Sequence, residues 1–171
     1  MHTLRFVGMS VAFACVLSLF VGCGSSGGYS PVTLRIGLDD ALAQSGQVES
    51  IEVDVVGLRE SEAAVYDGLT IASYWRQYRD TAESVRLTFG SQDTDTKSVD
   101  RNADIWSDQW SGVTKIAVLA AMSVDGPSLA GDADKRIEFI DLDKNMWPNN
   151  TVQFRIGPNG LRRVTTPRDA S

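Results

Sequence analysis

Histidine occurs once in this chain of 171 residues, at position 2, and cysteine twice, at positions 15 and 23. Beyond position 23 there is neither, which excludes internal disulfides, thiolate zinc sites, imidazole metal ligands and histidine-activated nucleophiles from everything that follows. An enzyme would be left with paired carboxylates or a Ser-Lys couple, and neither shows a local signature. The sequence therefore reads as non-enzymatic, with no catalytic residue, no cofactor and no metal. Positive charge is also short, since 16 Lys and Arg face 22 Asp and Glu for a formal charge of -6. No basic run is dense enough to track a nucleic acid. A spanning helix is missing too: it takes about 20 apolar residues, whereas the run Phe6 to Gly22 has 17 and is broken by Gly8, Ser10 and Ser18.

That run does have the shape of a secretory signal, with a short polar start carrying Arg5 ahead of it. It ends in Leu19-Phe20-Val21-Gly22-Cys23, which resembles the lipobox of bacterial lipoproteins, with Phe20 where Leu is usual. The resemblance implies cleavage before Cys23 and modification of its sulfur with a diacylglyceryl group and of its amine with an acyl chain such as palmitate. Each buried methylene contributes about 0.8 kcal/mol, so one chain binds reversibly and three hold. Cys15 would leave with residues 1–22 and is read as a small hydrophobe. Gly24 stands where Asp would mark inner-membrane retention, which implies export to the outer membrane, facing the periplasm. Arg5 is the one basic residue among the first 22, which hold no acid, so the mature chain keeps 15 basic and 22 acidic residues.

Residues 23–31 carry the lipidated cysteine and a flexible Gly/Ser-rich tether, GSSGGYSP. Eight such residues reach about 15 Å as a coil and no more than about 29 Å extended, so the domain is expected close to the lipid. The folded domain is assigned to 32–165 and a flexible tail to 166–171. Within the domain apolar residues alternate at Val32, Leu34 and Ile36, at Ile51, Val53 and Val55, and at Val85, Leu87 and Phe89. The period returns at Ile116, Val118 and Ala120, at Ile137 and Phe139, and at Val152, Phe154 and Ile156. Period two marks half-buried strands. Gly157-Pro158-Asn159-Gly160 then predicts a turn, with Leu161 to Val164 returning as a hairpin partner. One stretch departs from the rule: Ile71, Tyr74, Trp75 and Tyr78 fall at helical spacing. The expected fold is mainly all-β, an antiparallel two-sheet sandwich of transthyretin-like or immunoglobulin-like type with one short helical insertion near residues 69–80.

Few side-chain groupings suggest chemistry. Asp141-Leu-Asp143-Lys-Asn145 copies the start of a calcium loop, but Met146 replaces the turn glycine and Val152 the closing glutamate. Asp93, Asp95, Asp100 and Asp104 read as a solvated loop. Asn149-Asn150-Thr151 reads as a turn rather than a glycosylation site. Trp106 and Trp110 in DIWSDQW are the candidates for a ligand platform, because an indole offers a flat face and one donor; anchoring a packed loop is the plainer expectation.

The lipobox, the length of the mature part, the strand Val53-Asp-Val-Val-Gly-Leu58, the aromatic insertion at Tyr74-Trp75 and the strand into Ala117-Val-Leu-Ala-Ala121 together resemble the outer-membrane lipoprotein of type VI secretion systems. The closing order, Lys135-Arg-Ile137 through Trp147 to Thr151-Val-Gln-Phe154, follows the same family, so the likeness spans most of 32–165. It implies a transthyretin-like sandwich that binds the periplasmic domain of a large inner-membrane partner and anchors a secretion channel, with no catalytic residues. In that family a loop between early strands meets the partner; its nearest counterpart is Arg59 to Gly68, with Arg59, Glu60, Glu62 and Tyr66 as candidate contacts. Oligomeric state is left open. The alternative is a glycan- or cell-wall-binding lipoprotein using Trp106 and Trp110.

Overall fold

The computed structural model describes residues 29–44, 50–90 and 93–168. The signal, Cys23 and most of the tether lie outside these residues, as does the end of the tail.

The expected sandwich is there, built among the described residues from eight strands in two sheets of four. One sheet runs in the order β4 (Lys97–Val99), β1 (Thr33–Leu38), β7 (Thr151–Gly157), β8 (Gly160–Arg163); the other runs β3 (Ser84–Phe89), β2 (Ile51–Leu58), β5 (Lys115–Ala121), β6 (Ile137–Asp141). The alternating apolar residues meet between the sheets: Leu34, Ile36, Val53, Val55, Ile116, Val118, Val152, Phe154 and Ile156 are wholly enclosed there. Both long edges are bridged. The amide of Leu161 donates to the Lys135 carbonyl at 2.7 Å on one side, and Lys97 Nζ donates to the Thr88 carbonyl on the other.

Two features correct the expected architecture. First, the sheets are not purely antiparallel, because β1 pairs β7 in parallel, Leu34 opposite Val152 and Ile36 opposite Phe154. A parallel pair needs a long crossover, and the whole other sheet lies in sequence between these two strands. Second, there are more helices than one insertion. Arg59 to Gly68, expected as a loop, contains helix α2 (Glu60–Asp67), while α1 (Asp40–Gln44) and α4 (Ile105–Asp108) are single turns. ESEAAVYD is rich in good helix formers, and Glu62 accepts from the Arg59 amide at 2.7 Å as half of a capping box. The predicted insertion forms at α3 (Ile71–Ser73), capped by Thr70 Oγ1 accepting from the Ser73 amide at 3.1 Å, and continues as a π-helical turn over Tyr74–Tyr78.

Helix α2, helix α3 and the π-helical turn make a third layer on the outer face of the β3-β2-β5-β6 sheet. Tyr66, Ile71 and Tyr74 pack there on Val56, Leu58, Ala117, Leu119 and Ile137, a second core separate from the first. A bridge between Thr70 and Ala130 pins the layer to the β5–β6 connection. The chain enters the domain at one end of the sandwich, where Tyr29 bridges Asp143 and the Ser30 amide donates to the Leu142 carbonyl at 2.9 Å.

Candidate functional site

The four candidate partner contacts all lie on or beside α2, but they do different work. Arg59 precedes the helix, and its Nη2 donates to the Gln109 carbonyl at 3.0 Å and to Glu83 Oε2 at 3.2 Å, tying α2 to the start of β3 and the end of α4. Glu62 turns back on Arg59, with Oε1 3.5 Å from its Nη1. Glu60 is exposed in the first turn, where its charge suits the helix N-terminus. Tyr66 faces inward at 8% exposure, its ring centroid 6.1 Å from Tyr74 and 6.3 Å from Tyr78. Burial, then the nearby Glu62, Tyr78 and Asp54, push its phenol up to about 12. Tyr66 is thus a core residue, and the outer surface of α2 is Glu60, Ser61, Ala64 and Val65, the last 48% exposed. Beside it a cleft of about 300 Å³ is lined by Val65, Tyr66, Tyr78 and Ala82 over Val56 and Leu58.

Under this layer sits a residue that period-two reading passed over. Asp54 stands in the middle of β2 with no exposed surface. Its Oδ2 accepts from Tyr74 Oη at 2.8 Å and from Arg79 Nε at 3.1 Å, while Oδ1 has no hydrogen-bond partner among the described residues. Arg79 also reaches Glu52 Oε2 at 2.5 Å and lies 4.6 Å over the Trp75 ring. Burial and the bond to Asp54 raise the Tyr74 phenol far above its ordinary range. A buried charge needs paired, hydrogen-bonded neighbours, and this clasp supplies them from the π-helical turn and the residue after it. The signal available in the sequence was an aspartate inside the apolar run of β2, Val-Asp-Val-Val.

Trp106 and Trp110 are brought together, but in the core. Their rings meet edge to face at 4.8 Å, 9% and 2% exposed, and each indole N–H is spent on a carbonyl: Trp106 on Asp100 at 3.0 Å, Trp110 on Glu83 at 2.9 Å. As a ligand platform the pair needs correction, since burial leaves no open ring face. Gly57 allows the approach; a Cβ there would meet the Trp110 ring at 2.5 Å. The calcium-like stretch is likewise engaged locally: Asp141 lies 3.7 Å from Lys115 Nζ, and its carbonyl accepts from Trp147 Nε1 at 2.7 Å. Asn149 and Asn150 both take left-handed backbone, φ 53° and 51°, in a turn. Among the described residues no three His, Cys, Asp or Glu side chains could hold one metal ion. A second buried carboxylate, Asp134, accepts from Arg136 Nε at 2.8 Å and from the Leu129 amide at 3.2 Å, fixing the β5–β6 connection; burial opposes its ionisation, but the Arg136 bonds prevail and lower its pKa.

No protein-family model matches this chain, and no curated protein sequence matches it. Solved structures do. Serratia marcescens Lip, a membrane-bound component of the type VI secretion system, shares the fold with a TM-score of 0.51 and 16% identity, over 82% of this chain and 99% of that one. The type VI secretion lipoprotein TssJ1 from Pseudomonas aeruginosa matches with a TM-score of 0.51 and 13% identity, over 84% and 99%. A chain of a type VI membrane complex gives 0.54 and 12%, over 80% and 98%. The chain therefore has the fold of these lipoproteins, as the sequence resemblance implied.

Proposed function

We propose that this protein is a non-enzymatic scaffold of a type VI secretion membrane complex, held at the outer membrane by lipid on Cys23 and docking a protein partner in the periplasm. The observation that carries this is the extent of the fold match: nearly the whole of each similar chain, 98% to 99%, corresponds to this one. The lipobox and short tether support the anchor, with residues 1–22 as the signal, 23–31 as the lipidated linker, 32–165 as the sandwich and 166–171 as a tail. The partner's contact surface is assigned to α2 and its flanks, with Glu60, Arg59 and Glu62 outward and Tyr66 holding the helix in place from below. Glycan binding through Trp106 and Trp110 would need ring faces that burial denies, and is not carried forward.

Two measurements test this. Mass spectrometry of the protein from its own host should find a mature N-terminus at Cys23 bearing three acyl chains; a bare thiol or another N-terminus would overturn the anchor. Affinity purification from the same host should recover an inner-membrane type VI component with the wild type and lose it with Glu60→Arg combined with Val65→Asp. Recovery unchanged by those substitutions would remove α2 from the interface, and recovery of no such component would overturn the docking role.

A further inference from the structure

Among the described residues no layer covers the outer face of the β4-β1-β7-β8 sheet, and that face is basic. Leu34, Ile36, Val152, Phe154 and Ile156 point inward, so Arg35 on β1, Arg155 on β7 and Arg162 on β8 share the solvent side, among Thr33, Ser98 and Gln153. The register gathers them: Arg35 is opposite Gln153, Gly37 is opposite Arg155, and Arg155 is directly opposite Arg162. Like charges in that position cost stability. None of the three has a carboxylate within ion-pair distance among the described residues, although Asp39 and Asp40 border the same shallow depression; Arg155 donates to the Leu38 carbonyl at 3.1 Å. In a chain of net charge -6, three arginines outside any ion pair among the described residues, set against only Asp39 and Asp40, leave this face with a local excess of positive charge.

We propose that this face lies on anionic lipid headgroups, so that the sheet rests on the bilayer and the helical layer on the opposite side is presented to the periplasm. The proposal rests on the anchor described above. Cys23 is six residues before Tyr29, a span of no more than about 22 Å when fully extended, and the chain enters directly into β1, which carries Arg35. The bare face is therefore within reach of the surface that holds the lipid. Guanidinium groups match phosphate geometry in a bidentate way, and the acidic remainder of the domain is repelled by the same surface, which selects one orientation.

The test uses the mature, acylated chain in vesicles of phosphatidylcholine with or without phosphatidylglycerol, carrying a fluorophore on Ser98→Cys or on Val65→Cys. With phosphatidylglycerol, the label at position 98 should be shielded from an aqueous quencher about ten-fold, and the label at 65 should stay open. High salt or the combined Arg35→Gln, Arg155→Gln, Arg162→Gln change should abolish the shielding while the protein still floats with the vesicles. Equal quenching at position 98 on both lipids, or shielding that needs an added acidic protein, would overturn the proposal. Failure to float with either vesicle would instead count against the anchor, and the non-acylated Cys23→Ser chain then tests the face alone by its sedimentation with phosphatidylglycerol vesicles, which the triple change should weaken about ten-fold or more. Sedimentation unaffected by the triple change would overturn it.

Discussion

The outer faces of the two sheets have opposite fates. On one sheet β2 and β5 are buried on both sides, with Val56, Leu58, Ala117 and Leu119 turned outward under the helical layer. On the other, β1 alternates from Thr33 to Ile36 and β7 from Thr151 to Ile156, with Thr33, Arg35, Gln153 and Arg155 turned outward. A strand covered on both sides reads as a nearly continuous apolar run, whereas a half-solvated one alternates. The difference also concerns charge. The covered face encloses Asp54 and must neutralise it locally; the bare face tolerates three arginines because water screens them.

Breaking the clasp should have the largest effect. Asp54→Ala leaves the Tyr74 hydroxyl without its partner and the Arg79 guanidinium with Glu52 as its one remaining carboxylate, and removing one member of a buried pair predicts a loss of about 3 kcal/mol in urea unfolding. A loss below about 1 kcal/mol would mean that the helical layer does not depend on Asp54. Alkaline pH attacks the same face through Tyr66. Its phenol is raised from 10 to about 12, so the folded state holds the proton more tightly than the unfolded one; the stability it contributes, on the order of 2 kcal/mol, is complete below pH 10 and fades as pH rises through about 12. Tyrosinate absorbance should lag in the wild type and lose its component near pH 12 in Tyr66→Phe, while the later one from Tyr74 remains. Tyr74→Phe, which removes one hydrogen bond to a carboxylate already short of partners, should lower stability by about 1 kcal/mol. The bare face should respond least. Arg162→Gln relieves the opposition to Arg155 and should change thermal stability by less than about 0.5 kcal/mol, in the stabilising direction; a large loss would reveal a structural role for that arginine and erase the contrast between the faces.

Much of the fold was legible because strand periodicity is local. Leu34 and Ile36, Val53 and Val55, or Val152 and Phe154 announce their inward side within a few residues, and Ile71, Tyr74 and Tyr78 announce a helix by their spacing. β4 was missed because three residues, Lys97 to Val99, are too few to display a period. Helix α2 was missed because only Tyr66 of its eight residues is buried, so no apolar stripe marks it. The candidate site was less legible still. Tyr66 and the two tryptophans were singled out as contacts, yet their large apolar area drew them into the cores, where burial outweighs any gain from waiting for a ligand.

The sequence by itself determined the signal-like start, the positions of the main strands, their inward faces and the poverty of catalytic groups, since each depends on residue type and short-range spacing. Tertiary structure decided which strands became neighbours. A side-chain period of two is the same in parallel and antiparallel sheets, so nothing local could say that Thr33–Leu38 would align with Thr151–Gly157. That one long-range pairing brings Arg35 to Arg155 and Arg162 on a single face, and the nearer but still non-local contact of Asp54 with Tyr74 and Arg79 closes the other.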